Sequence, residues 1–169
     1  MIRLTRYLRP HQIKLELDTV TPDEIPEGWS RKRFVWSIKE RVLMELVPLF
    51  DASGKVVNAT KLLADLSNRE RKASTAIGHG IAIPHVRTMQ ARDFAICFAR
   101  STPGVEFDAT DGAPVHIFFG VIAPPYNDRL YLEVYREIGT LLAQERVRAA
   151  MLGASSPHEI IKLIADITG

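Results

Sequence analysis

The chain has 169 residues, of which 46% are hydrophobic and 25% are charged, and its net charge is +2. This balance is typical of a globular domain with a sizeable core, and it excludes a mainly disordered chain. The basic residues are scattered apart from groups at 31–33 and 69–72. We therefore expect no nucleic-acid partner, because nucleic-acid-binding proteins concentrate positive charge on one face.

The first half of the chain predicts one strand and two helices. Apolar and polar residues alternate over 13–17, the period of a half-buried strand, and 18–28 is rich in turn residues. Helical spacing of apolar residues predicts a helix over 30–47, with Pro48 at or beyond its last turn. Asn58 caps a second predicted helix that ends near residue 68.

The second half predicts two strands and three helices. Strands are expected over 94–100 and 115–122, separated by the turn-rich segment 102–114. Helices follow over about 127–144, 145–152 and from Pro157 onward, where Ser156 and Glu159 fit a capping box. Because strands and helices interleave without a linker, we predict a single α/β domain over residues 1–169.

The cellular location also follows from the composition. Cys97 is the single cysteine, so no disulfide can form within the chain. The N-terminus lacks the apolar segment of a signal peptide, and no apolar run approaches the roughly 20 residues of a membrane helix. We expect a cytoplasmic protein that does not insert into a membrane.

The segment 73–88 is the most unusual part of the chain, and it has the components of an anion site. Its glycines allow backbone to approach a ligand, and the hydroxyls of Ser74 and Thr75 can donate hydrogen bonds to phosphate oxygens. Two histidines, His79 and His85, lie in the same stretch. Positive charge is available from two arginines, Arg69 and Arg87.

A neutral histidine in such a site can act as a nucleophile towards phosphorus. The unperturbed pKa of histidine is near 6.5, so much of His85 is expected to be neutral at cellular pH. One ring nitrogen attacks, while the other must be protonated and held by an acceptor. Phosphoryl transfer mainly needs positioning and charge stabilisation, which hydroxyls, backbone amides and arginine supply.

Other interpretations of these residues compete with this one. His85 could be an ordinary polar loop residue, and the glycines could only shape a turn. A metal site formed by His79, His85 and His116 lacks a recognised zinc spacing. Ser74 and Ser101 lack the context of a nucleophile elbow, and the glycines lack the full dinucleotide fingerprint.

The stretch from Ser74 to His85, STAIGHGIAIPH, closely resembles the signature of the enzyme IIA family of the phosphoenolpyruvate-dependent sugar phosphotransferase system. The branch is the fructose–mannitol type, which includes nitrogen-regulatory members. The pair Arg69-Glu70 and the downstream stretches GVEFD (104–108) and DGAPV (111–115) also resemble the family. The likeness is strongest over 56–169, weaker over 7–17, and lacking over 18–55.

The resemblance implies an α/β fold with a mixed sheet packed between helices. It implies that His85 is phosphorylated at its tele nitrogen by the phosphocarrier HPr or a relative, and that a IIB partner receives the phosphoryl group. Alternatively, the phosphorylation state controls regulatory target proteins. Arg69 would neutralise the phosphoryl group and Ser74, Thr75, His79 and Arg87 would contact it, with no metal or organic cofactor.

Two residues depart from the family pattern. Ala76 stands where the family usually has glycine, which is tolerable unless the position needs a positive φ. Tyr131 stands where family members commonly place a histidine beside the phosphorylated one. Tyrosine can donate one hydrogen bond but cannot carry a positive charge, so rates or partner choice are expected to differ, unless Tyr131 only packs on its own helix.

Overall fold

The computed structural model describes residues 2–168, and within that range the chain forms five α-helices and six β-strands. The helices are α1 (Arg31–Asp51), α2 (Ala59–Lys72), α3 (Asp128–Leu142), α4 (Glu145–Gly153) and α5 (Pro157–Thr168). The strands are β1 (Ile13–Lys14), β2 (Ala76–Gly78), β3 (Ile81–Ala82), β4 (His85–Arg87), β5 (Ala95–Val105) and β6 (Val115–Ala123). None of these helices is long and apolar enough to cross a membrane.

The six strands form one mixed sheet built on the antiparallel pair β5 and β6. Strand β1 pairs parallel with β5 on one side. On the other side, β3 and β4 both pair parallel with β6, β3 near its start and β4 near its end. Strand β2 completes the edge by pairing antiparallel with β3. The predicted mixed sheet is therefore confirmed.

Helices cover both faces of this sheet. Alternation along β5 sends Ile96 and Phe98 towards α3, α4 and α5, whereas Ala95, Cys97 and Ala99 face α1 and α2. Each face has its own hydrophobic cluster, because the strands separate the two layers. The predicted packing of the sheet between helices is confirmed by this arrangement.

Gly120 of β6 allows α1 to pack directly against the sheet. A Cβ at this position would lie 2.5 Å from Cζ of Phe50 and 2.6 Å from Sγ of Cys97, which is closer than real carbon contacts. Both neighbours are fully buried, so neither can move into solvent. A residue without a side chain is therefore required here for the packing of the last turn of α1.

Several element boundaries differ from the predicted ones. The strand predicted over 13–17 ends at Lys14, although the amide of Leu17 still donates to the carbonyl of Arg100. Helix α1 continues to Asp51 with Pro48 in its last turn, and α2 continues to Lys72. Strand β5 extends to Val105 across an irregularity after Arg100, into the segment predicted as turns. The capping of α2 by Asn58 is confirmed.

Candidate functional site

His85 begins the short strand β4, at the edge of the sheet. It lies opposite Val121 of β6, whose amide donates to the carbonyl of Pro84. Because side chains alternate along a strand, His85 and Arg87 point to the face covered by α3. Val86, between them, packs into the cluster formed with α1 and α2. His85 therefore stands where the two helical layers meet at the sheet edge.

A backbone hydrogen bond fixes the tautomer of His85. Its Nδ1 lies 2.6 Å from the carbonyl oxygen of Ile83. A carbonyl oxygen only accepts, so Nδ1 carries the hydrogen and donates it. In the neutral ring Nε2, the tele nitrogen, then carries the lone pair and accepts a hydrogen bond from Arg69 at 3.4 Å. The atom predicted to carry the phosphoryl group is the atom left available for attack.

The surroundings of His85 favour the neutral ring. Its pKa is lowered below the ordinary value of 6.5, chiefly because burial disfavours the charged form and also because the positive charge of Arg69 repels a proton. The hydrogen bond to Ile83 and the charge of Glu70 act in the opposite direction but do not reverse the shift. Both causes of the shift therefore favour the unprotonated ring at neutral pH.

Arg69 lies directly beside the unprotonated nitrogen of His85. It belongs to the last turn of α2, and its guanidinium donates to the carbonyl of Ala73 at 3.0 Å. Its second terminal nitrogen donates to Nε2 of His85 at 3.4 Å. The structure therefore brings together Arg69 and His85, sixteen residues apart in sequence. A phosphoryl group on Nε2 would be within reach of this cation.

Two tyrosines of α3 form the aromatic wall of the site. The ring of Tyr131 is 5.9 Å from the His85 ring, and that of Tyr135 is 4.9 Å away in an edge-on arrangement. Burial raises the pKa of Tyr131 to about 12, so its hydroxyl stays neutral. Tyr135 was missed by the sequence interpretation, although residues four apart share one helix face, which is the signal that points to it.

Arg87 lies at the rim of the site. It forms an ion pair with Asp128 at the start of α3, and its guanidinium carbon is 5.4 Å from the ring centre of Tyr131. Both members of the ion pair are substantially exposed to solvent. Arg87 is therefore on the same face as His85, but part of its charge is already balanced by Asp128.

The two hydroxyl residues predicted to contact phosphate are engaged elsewhere. The hydroxyl of Ser74 donates to the carbonyl of Phe107 at 3.0 Å. Thr75 is buried and donates its hydroxyl to the carboxylate of Glu70 at 2.5 Å. Their donor hydrogens are thus used in holding the 73–76 backbone in place rather than directed at His85. Direct contact of these hydroxyls with phosphate stays a prediction that this geometry does not favour.

His79 lies away from His85, at the tip of the turn between β2 and β3. It has a φ of 56°, and its amide donates to the carboxylate of Asp111. Ile81 pairs with Ile117 and His85 pairs with Val121. The partners of Ile81 and His85 therefore lie four residues apart along β6, which is roughly 13 Å. The structure does not bring His79 and His85 together as the sequence prediction assumed.

The same strand register also separates the three histidines considered as metal ligands. His116 precedes Ile117 and lies against the turn at Gly80, at the His79 end of the sheet, with its Nδ1 3.0 Å from the carbonyl of Ser101. The three histidines do not converge. Across residues 2–168 no group of three or more His, Cys, Asp or Glu side chains could hold a metal ion.

Ala76 needs no glycine conformation. Among residues 2–168, the non-glycine residues with positive φ are His79 and Asp108. Ala76 is buried in β2, paired with Ala82, so the replacement of the family's usual glycine introduces no backbone strain.

Comparison with protein families places the chain. The family described as "Phosphoenolpyruvate-dependent sugar phosphotransferase system, EIIA 2" matches residues 33–167. The match includes most of α1, which lies in the segment 18–55. From the sequence, that segment was expected to lack likeness to the family.

Two curated relatives match almost the whole of this chain. A fructose-specific EIIABC component of Bacillus subtilis is 33% identical over 163 residues, which is 96% of this chain but 23% of that protein. The chain thus spans less than a quarter of that relative's length. A nitrogen regulatory protein of Pseudomonas aeruginosa is 30% identical over 99% of this chain and 97% of its own length.

Solved structures share the fold. The nitrogen regulatory protein IIA-Ntr of Neisseria meningitidis superposes with a TM-score of 0.79 at 24% identity, covering 95% of this chain and 97% of that one. The mannitol IIA of Escherichia coli gives 0.71 at 18% identity, covering 93% and 98%. From the family match, which spans most of its length, this chain is a member of the EIIA type 2 family of the phosphoenolpyruvate-dependent sugar phosphotransferase system.

Proposed function

We propose that this chain, as one cytoplasmic domain, is a phosphoryl carrier whose Nε2 of His85 accepts a phosphoryl group from an HPr-like phosphocarrier and passes it to a IIB partner. The observation that carries the proposal is the hydrogen bond from Nδ1 of His85 to the carbonyl of Ile83. It leaves Nε2 unprotonated, with its lone pair accepting a hydrogen bond from Arg69 at 3.4 Å, and this guanidinium can turn to a phosphoryl oxygen as Nε2 attacks.

The chemistry is an in-line displacement at phosphorus. The lone pair of Nε2 forms the new bond to phosphorus, and the bond between phosphorus and the donor breaks with its electron pair staying on the donor. Nε2 has no proton to lose, and Nδ1 keeps its own. The ring then carries positive charge, which the carbonyl of Ile83 stabilises through the Nδ1–H bond. Transfer to the IIB partner is a second in-line displacement, in which a nucleophile of IIB forms the new bond to phosphorus and the bond to Nε2 breaks with its electron pair returning to Nε2.

The positive groups around His85 stabilise the negative charge of the phosphoryl group during its transfer. Arg69 lies next to the attacking atom, and Arg87 stands at the rim with part of its charge already paired to Asp128. Loss of a single positioned donor in such a site typically slows the reaction about 10²- to 10³-fold. Arg69 is therefore the main charge-stabilising residue in this proposal.

A IIB partner is supported by the relatives. One solved structure with the same fold, at a TM-score of 0.72 and 18% identity, is a complex of the mannitol IIA of Escherichia coli with its phosphorylated IIB. A fructose-specific EIIA component of Haloferax volcanii is 31% identical over 76% of this chain and 84% of its own length.

A regulatory role is the second candidate, favoured by one observation. The nitrogen regulatory protein of Pseudomonas aeruginosa aligns with this chain along almost the whole length of both. In this alternative the phosphorylation state of His85 controls which target proteins bind. Capture of partners from cell extract with His85→Asp and His85→Ala variants tests it, because partners that distinguish the two variants respond to charge at this position.

The proposal is tested by phosphoryl transfer from radiolabelled phosphoenolpyruvate through enzyme I and HPr. Wild type should become labelled with acid-labile, base-stable phosphate, and His85→Ala should not. His158→Ala, which changes an exposed histidine on α5, is the matched control and should label like wild type. Labelling of His85→Ala, or no labelling of wild type by any donor, would overturn the proposal.

A further inference from the structure

A second concave site lies between the first turns of α1 and the end of α2. It is a cleft of about 780 Å³. Five cationic side chains line it: Arg31, Lys32, Arg33, Lys39 and Arg71. Of the residues that line it, none is His85, Arg69 or Arg87, so the cleft is separate from the phosphoryl site.

The cleft has a strong excess of positive charge. Two carboxylates, Glu70 and Asp108, accompany the five cations, and Arg31 also forms an ion pair with Glu106 at 3.6 Å, which leaves an excess of two. The whole chain has a net charge of only +2. The cleft therefore holds an excess as large as the net charge of the whole chain, in a concavity where low-dielectric walls strengthen attraction for an anion.

Two arginines of the cleft are held in position by tryptophans. The guanidinium carbon of Arg33 lies 4.0 Å from the ring centre of Trp29, and that of Arg71 lies 4.5 Å from the ring centre of Trp36. Stacking on an aromatic face fixes the plane of a guanidinium group and leaves its N–H edges free to bind phosphate or carboxylate in a bidentate manner.

A buried ammonium group lies at the floor of the cleft. Lys39 is 4% exposed, and its ammonium is 3.2 Å from the carboxylate of Glu70 and 5.0 Å from the ring centre of Phe107. An ammonium has three donor hydrogens, and in the described part of the chain Glu70 is its one hydrogen-bond partner. Glu70 also accepts from both the amide and the hydroxyl of Thr75, so its negative charge is shared.

We propose that this cleft binds a small molecule that carries at least two phosphate groups. Its volume is that of ordinary small-molecule sites. Lys39 lies too deep to meet a flat acidic protein surface, whereas a phosphate entering the cleft can reach it while a second phosphate meets the stacked arginines. Multiple phosphates match the charge excess and the planar donor edges of Arg33 and Arg71.

The test uses the two tryptophans of the chain, both of which adjoin the cleft. Inorganic tripolyphosphate is titrated into the full chain without divalent metal, at constant ionic strength, while tryptophan fluorescence and binding heat are recorded. A saturable change in both signals is expected. Citrate, a polycarboxylate of somewhat lower charge that lacks phosphate groups, is the second ligand and should bind at least tenfold more weakly.

Matched variants locate the binding. Arg33→Gln/Arg71→Gln removes two exposed cations of the cleft and should weaken tripolyphosphate binding at least tenfold, as measured by heat. Arg136→Gln/Arg146→Gln removes two exposed cations elsewhere and should bind like wild type. Linear titration of wild type, equal weakening in both double variants, or citrate binding as tight as tripolyphosphate would each overturn the proposal. None of these outcomes depends on whether His85 accepts phosphate.

Discussion

Nδ1 of His85 donates to the carbonyl oxygen of Ile83, two residues earlier and separated from it by Pro84. Donor and acceptor lie in one three-residue segment whose middle φ is fixed by the proline ring. Because the acceptor is main chain, a side-chain substitution elsewhere does not remove it. The reactive tautomer is thus a local property of this segment, while the charge beside it comes from α2.

The lowered pKa of His85 predicts how phosphoryl acceptance depends on pH. The unprotonated ring is the nucleophile, and its pKa lies below 6.5 because of burial and Arg69. We expect the rate of acceptance to fall as pH decreases, with the midpoint of this decline below pH 6.5. Nitrogen NMR of labelled histidine measures the pKa directly, and a value above 6.5 would contradict the prediction.

The same shift affects stability, with a sign that follows from proton binding. The folded pKa is below the unfolded one, so between them the unfolded chain binds more protons. The contribution of His85 to the free energy of unfolding therefore falls as pH decreases from about 6.5 to the folded pKa. Urea unfolding at pH 7.5 and 5.5 should show a larger loss for wild type than for His85→Gln, which lacks this titration.

Arg69→Gln should slow phosphoryl acceptance by roughly 10²-fold, since it removes the donor beside Nε2. It should also raise the pKa of His85, because the repelling charge is gone. Lys72→Gln changes an exposed cation on the same turn of α2 and serves as the control. Rates from single-turnover labelling that match between the two variants would show that Arg69 has no special role.

Tyr131→Phe should change the rate of acceptance by less than about tenfold, the effect of one ordinary hydrogen bond. The pKa of Tyr131 is raised to about 12, chiefly by burial, which keeps its hydroxyl uncharged. Tyr131→His instead adds a group that can become positive, so it should speed acceptance as pH falls towards 6. Single-turnover labelling across pH compares the two, and a collapse of activity in Tyr131→Phe would assign the hydroxyl a direct role.

The buried pair of Lys39 and Glu70 should matter greatly to stability. The two side chains are 5% and 1% exposed. Lys39→Met or Glu70→Gln leaves one partner buried alone, which we expect to lower the free energy of unfolding by about 3–5 kcal/mol. The double variant should lose less than the two single losses combined. Urea denaturation measures all four forms, and strict additivity would contradict a coupled pair.

Gly120→Ala should destabilise the fold by about 1–3 kcal/mol, because its methyl group would overlap Phe50 and Cys97. Gly139→Ala is the matched control. Gly139 lies within α3, where an added Cβ meets nothing within 4 Å, so this change should stabilise by about 0.5–1 kcal/mol. Thermal unfolding should move the two variants in opposite directions.

Local sequence features predicted some of this structure well. Helical spacing located α1 to α5, and the pairing of Arg69 with His85 followed from the motif. The roles of Thr75 and His79 were harder to predict for physical reasons. Thr75 finds a buried carboxylate five residues earlier, a partner chosen by tertiary packing. His79 lies in the turn before β3, whereas His85 begins β4, so closeness in sequence did not mean closeness in space.

The position of His85 at the junction of two layers has a consequence for how the protein tolerates mutation. The arginine beside it belongs to the layer of α1 and α2, and the tyrosine wall belongs to the layer of α3. The surroundings of the His85 ring therefore depend on how two independently packed layers are aligned. Substitutions buried in either layer can change the rate of phosphoryl transfer without altering any atom of the site. A partner that shifts one layer against the other can do the same reversibly.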